Sequence, residues 1–110
     1  MKIRKGFVSN SSSTSFIITN YSGKELTLLD FVMENPNIVK DFNIEYDWYE
    51  HSLDEMIECA KNRNETFNPG KNIKTYGDED GDVLGKVFDY MLRYEGKSKN
   101  FSWQFYEYNR

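Results

Sequence analysis

A single cysteine, a single histidine and two prolines stand among 110 residues. Lone Cys59 excludes an internal disulfide and any zinc site built from clustered cysteines. No apolar run approaches the roughly 20 residues that a membrane span requires. Behind the first cations there is no apolar stretch of the ~7–15 residues found in a secretory signal. These absences lead to the expectation of a protein in the cytoplasm with no membrane partner. Positive charge is scarce as well: 14 Lys and Arg face 18 Asp and Glu, for a net charge of −4. The only basic cluster is Lys2, Arg4 and Lys5. A nucleic-acid binder is expected to show a basic face, and three cations make a weak phosphate footprint. Nucleic acid is therefore not an expected partner.

Aromatic residues are plentiful where aliphatic ones are few. Hydrophobic residues make up only 38% of the chain, yet eight Tyr, eight Phe and two Trp bring the aromatic share to 16%. Each such ring can bury roughly 150–250 Å², so a few large side chains must supply much of the core. The length suits one domain, 1–110, with one modest core. Negative charge is concentrated in 41–58, where seven carboxylates occur without a Lys or Arg.

The pattern along the chain predicts an α+β domain. Stretches 3–8 and 15–21 are rich in Ile, Val, Phe and Thr and favour strands. Between them runs a Ser/Asn/Thr segment too polar to offset its own ordering entropy. A mobile Ser-rich loop at about 9–15 is expected, and replacing 11–14 with Gly or Ala should cost little. Thr27 and Asp30 open a helix that ends before Pro36, since the residue before a proline is disfavoured in helical geometry. Ile38, Val39, Phe42, Tyr46 and Tyr49 suit a helix, whereas Phe42, Ile44, Tyr46 and Trp48 alternate as in a strand. Periodicity leaves 37–49 open between the two, with a lean to helix up to about Tyr46.

Farther on the signals are sharper. Ser52 and Glu55 form a capping box, and Leu53, Met56, Ile57 and Ala60 make one apolar stripe. Residues 62–70 read as a loop and 73–76 as a short strand. Asp82 is the expected N-cap of a last helix, with Leu84, Val87, Phe88 and Met91 buried and Asp89 paired to Arg93. Gly96 is the expected left-handed residue closing that helix. Phe101, Trp103 and Phe105 alternate with Ser102, Gln104 and Tyr106, a period-two strand. The terminal strands are expected as neighbours in one small antiparallel sheet packed with three to four helices.

No constellation with catalytic chemistry emerges. Asp78, Asp80 and Asp82 have the spacing of an EF-hand loop, but position six is Val83 rather than Gly and position twelve is Asp89 rather than Glu. A capping turn is the better reading. His51 and Cys59 are separated by about 12 Å along a helix axis, too far for a nucleophile–base hydrogen bond. Gly77, Gly81 and Gly85 lack the Lys-Ser/Thr pair of a phosphate loop. The expectation is a non-enzyme without cofactor or metal.

The candidate binding residues are Tyr46, Asp47, Trp48, Tyr49 and Glu50 in the acidic segment, with Tyr106 and Tyr108 on the last strand. The two tyrosines are expected on the strand face opposite Phe101, Trp103 and Phe105. Amphipathic rings among carboxylates suit a protein-binding surface, where Tyr and Trp are enriched at energetic hot spots. A negative surface is also complementary to a basic partner.

The segment Arg4-x-Gly6-Phe7-Val8-Ser9-Asn10-Ser11-Ser12-Ser13-Thr14-Ser15-Phe16 resembles an N-terminal pattern, roughly RxGFVSNSSSSSF, of small uncharacterised proteins from bacteriophages and prophages. Thr14 stands where that pattern has serine. The stretch from Tyr76-Gly77-Asp78 through Val87-Phe88-Asp89-Tyr90-Met91-Leu92-Arg93 to Phe101-Ser102-Trp103 is similar to such proteins too. The resemblance implies phage origin and carries no catalytic or binding residue with it. A small accessory protein that binds a host or phage protein in the host cytoplasm is expected, with a host or defence factor as the kind of target. The alternative is a virion structural or morphogenesis protein whose N-terminal segment is an assembly or targeting tag.

Overall fold

The computed structural model describes residues 13–46, 51–77 and 81–109. Along the chain these form β1 (Ser13–Asn20), β2 (Leu26–Thr27), α1 (Leu28–Glu34), α2 (Asn37–Tyr46), α3 (Leu53–Arg63), β3 (Thr66–Phe67), β4 (Gly70–Gly77), α4 (Val83–Met91), β5 (Gly96–Lys97) and β6 (Phe101–Asn109). The main sheet has the order β4-β1-β6-β5 with antiparallel pairing throughout. This is the expected α+β architecture, with β1 and β6 side by side at its centre. The expected strand at 3–8 lies outside the described residues.

The helices cover one face of the sheet. Phe16 and Ile18 of β1, Tyr76 of β4 and Phe101 of β6 are fully buried there. Period-two alternation sends every second residue of each strand to this side. Phe31 of α1 stands at the hub, with ring centroids 5.7 Å from Phe67, 5.5 Å from Phe88, 4.9 Å from Phe101 and 5.4 Å from Trp103. Full burial of each such ring contributes roughly 1.5–3 kcal/mol, so clustered aromatics compensate for the small aliphatic content. On the opposite sheet face Ile73, Thr75 and Gln104 remain exposed. No helix among the described residues is long and apolar enough to cross a membrane.

Local signals set the helix starts. Thr27 and Asp30 form a reciprocal capping box on α1, as Ser52 and Glu55 do on α3. Asp82 caps α4 by accepting from the Gly85 amide at 2.8 Å. Segment 37–46 is a helix, because Val39 and Phe42 reach the core at i, i+3 spacing and Pro36 stands directly ahead of it. Arg63 at the end of α3 joins Glu65 at 2.7 Å and Asp82 at 3.1 Å, tying that helix to the start of α4.

Four expectations need correction. Residues 62–70 are not all loop, because Thr66 and Phe67 pair with Leu26 and Thr27 as a second, two-stranded sheet. Phe67 provides the reason: it is fully buried against Phe31 and Phe101. The Ser-rich loop cannot extend to 15, since Ser13, Thr14 and Ser15 are buried strand residues. Thr14 Oγ1 donates to buried Asp89 Oδ1 at 2.6 Å, and the Ser15 and Thr75 hydroxyls lie 2.8 Å apart. Residues 9–12 lie outside the described residues.

The third correction concerns Gly96, which has no positive φ and is a strand residue opposite Trp103. Helix α4 ends earlier, at a right-handed Leu92 cap. The fourth concerns Tyr108. A register shift between Ser15 and Phe16 leaves Tyr106 as an extra residue on β6, so Phe105 faces Phe16 and Tyr108 faces Thr14. One inserted residue reverses the alternation beyond it. Tyr108 thus shares the helix-covered face with Phe101, Trp103 and Phe105 instead of opposing them.

Candidate functional site

A cleft of about 510 Å³ opens between α2 and the turn that links α4 to β5. Helical periodicity aims Ile38, Asp41 and Glu45 of α2 into it, with Ile44 at its edge. Met91, Tyr94, Glu95 and Gly96 form the facing wall, and Trp103 comes from β6. Ile44 is 74% exposed and Tyr94 55% exposed. The lining thus combines apolar walls with three carboxylates, and no Lys, Arg or His is among the described residues that line it.

The wall is fixed by hydrogen bonds. Trp103 Nε1 donates to the Tyr94 carbonyl at 3.1 Å. The Ser98 amide donates to the Phe101 carbonyl at 2.7 Å, closing the β5–β6 hairpin. Glu34 at the end of α1 grips that hairpin: it accepts from the Ser98 hydroxyl, from the Asn100 amide at 2.8 Å and from the Asn100 side chain at 2.9 Å. Burial acts to raise the Glu34 carboxyl, but the Ser98 and Asn100 donors and the Lys99 charge outweigh it and hold the group below its ordinary value. Tyr94 Oη donates to Glu45 Oε1 at 2.6 Å across the mouth. That bond and the Glu45 charge push the Tyr94 phenol up to about 12.

Beside the cleft runs a chain of ring contacts. The Tyr46 ring lies 5.0 Å from Phe42 and 4.9 Å from Tyr90. The Arg93 guanidinium sits 5.3 Å from the Tyr90 centroid and 5.1 Å from that of Tyr108. Tyr108 then meets Phe105 at 4.7 Å. Cation–π attraction favours such a placement of Arg93 between two rings. Burial opposes the Arg93 charge, but Asp89 at 2.9 Å outweighs it and raises the guanidinium above its ordinary value.

The structure therefore joins two of the sequence candidates: Tyr46 and Tyr108 are ends of one aromatic strip with Arg93 in its middle. Tyr46 is half-buried, Tyr108 is exposed, and Tyr106 is exposed at the bulge. Asp47, Trp48, Tyr49 and Glu50 lie outside the described residues. Sequence reasoning included Asp41 and Glu45 in its acidic segment but missed Tyr94, Glu95, Gly96 and Trp103 as their counterparts. Trp103 reads as a core position in a period-two strand, and nothing local links it to α2.

The histidine and cysteine do not line the cleft. His51 is buried, its Nδ1 is 3.5 Å from Glu55, and its backbone exchanges two hydrogen bonds with the Asn43 side chain. Cys59 is half-buried against the core. Among the described residues no three His, Cys, Asp or Glu side chains come together as metal ligands. What the cleft can do chemically is attract a cationic group and cover its apolar part. Comparison of the chain with protein families, curated proteins and solved structures yields no match.

Proposed function

We propose that this chain is a small phage-derived accessory protein that acts by binding another protein, a host or defence factor, in the cytoplasm of the host cell. The observation that supports the reading best is the acidic cleft between α2 and the α4–β5 turn, with Ile44 and Tyr94 exposed at its mouth. Exposed aromatic and aliphatic groups supply area for contact, while Asp41, Glu45 and Glu95 favour a basic counterpart and disfavour an acidic one. The aromatic strip from Tyr46 to Tyr108 extends the same surface. The resemblance of the 4–16 segment to phage and prophage proteins supports the origin.

Affinity capture from a host lysate tests the reading, with D41K/E45K as the control. One protein enriched on the wild-type chain and lost on the variant is the expected result. Enrichment of no protein, or equal recovery on both baits, would overturn this surface as the functional one.

A further inference from the structure

Resting on the protein-binding reading, we infer that the cleft is an arginine-recognition site. It takes the side chain of one arginine from the partner protein. The stem lies along Ile38, Met91 and Trp103, and the guanidinium lies among Asp41, Glu45 and Glu95.

Three carboxylates and apolar walls meet in this one cleft. Many other carboxylates are occupied by structural work: Asp30, Glu55 and Asp82 cap helices, Glu65 and Asp89 pair with arginines, and Glu34 holds the hairpin. The cleft acids have no ion pair among the described residues, and Glu45 accepts only the Tyr94 hydroxyl. Unneutralised charges facing one cleft raise the local concentration of cations. The volume of 510 Å³ falls within the roughly 300–1,000 Å³ of small-ligand pockets.

Arginine is favoured over lysine by the number of acids that line the cleft. Three carboxylates line the cleft, and an ammonium offers them a single compact charge. A guanidinium presents five donors pointing in separate in-plane directions and is less strongly hydrated than an ammonium. The apolar walls suit its three-methylene stem.

The probe is acetyl-Gly-Arg-Gly-amide, titrated into the full chain and followed by NMR at the Gly96 amide and the Trp103 indole N–H. Matched peptides carry lysine or citrulline, the uncharged isostere of arginine, in its place. Saturable shifts at both reporters are expected with arginine, weaker binding with lysine and none with citrulline. D41N/E45Q should weaken the arginine peptide by about tenfold or more, the loss of charge-assisted hydrogen bonds, while the variant still unfolds in one cooperative thermal transition. Equal binding of citrulline or lysine, or no saturable shift with arginine, would overturn the assignment. The same shifts on simply concentrating the protein would identify a second copy as the occupant and overturn it too. A partner captured equally by wild type and D41N/E45Q would leave the protein-binding reading standing while removing the arginine site.

Discussion

The indole of Trp103 crosses directly over Gly96. A Cβ built on Gly96 would stand 2.7 Å from Trp103 Cζ2 and 2.9 Å from Cε2. These residues are register partners on β5 and β6, and the indole is held in place by its bond to the Tyr94 carbonyl and by Phe31. Glycine is required at this position for close approach rather than for backbone conformation. Replacing it with alanine forces the indole or the hairpin to shift, and Trp103 lines the cleft. We expect Gly96→Ala to cost about 1–3 kcal/mol as an overpacking change, read from urea denaturation, and to weaken the arginine peptide in parallel. A neutral effect on both would mean that the ring moves freely.

Thr14 is the second test. Its hydroxyl donates to Asp89, which also pairs with Arg93, deep under the sheet. Thr14→Val keeps the shape but leaves the carboxylate one donor short, for a loss of about 1–3 kcal/mol. Thr14→Ser retains the donor and should lose less. Equilibrium unfolding of both variants checks the difference. This outcome is opposite to that expected of a mobile serine loop.

Acid stability should report on Glu34. Its carboxyl is held below the ordinary value of 4.5 in the folded chain. Its contribution is therefore complete above about pH 4.5 and lost as pH falls through the depressed folded value. Glu34→Gln should flatten unfolding free energy against pH across that acidic window, and identical profiles would contradict the role of Glu34 as a clamp on the hairpin.

Tyr94 should titrate late. Its phenol is raised from 10.0 to about 12 by Glu45. The contribution of this bond is present below pH 10 and lost as pH rises through about 12. Glu45→Gln should bring the Tyr94 ionisation back towards the ordinary range, followed by NMR of ring-labelled tyrosine. An unchanged titration would show that the bond across the cleft mouth does not form in solution.

Much of the fold was legible in the chain because its causes are local. Thr27 with Asp30, Ser52 with Glu55, and Asp82 each act on amides within three residues, so their capping roles follow from spacing alone. The period-two run through Phe101 and Trp103 marks a strand for the same reason. Residues 66–67 carry no such signal: two strand residues have no period, and what pairs them with β2 is the burial of Phe67 against distant rings.

Composition dictates the kind of core and the sign of the surface. Few aliphatics and many rings demand an aromatic core, and 41–58 must be negative wherever it folds. Where the surface has depth depends on packing between distant segments. Asp41 and Glu45 become one wall of a cleft only when Tyr94, Glu95 and Trp103, roughly half the chain away, are folded against them. The bulge at Tyr106 decided that Tyr108 joins Tyr90 and Arg93, because a single inserted residue inverts strand alternation and its position depends on the pairing with β1. Contacts of long sequence separation arise from packing, and no spacing rule encodes them.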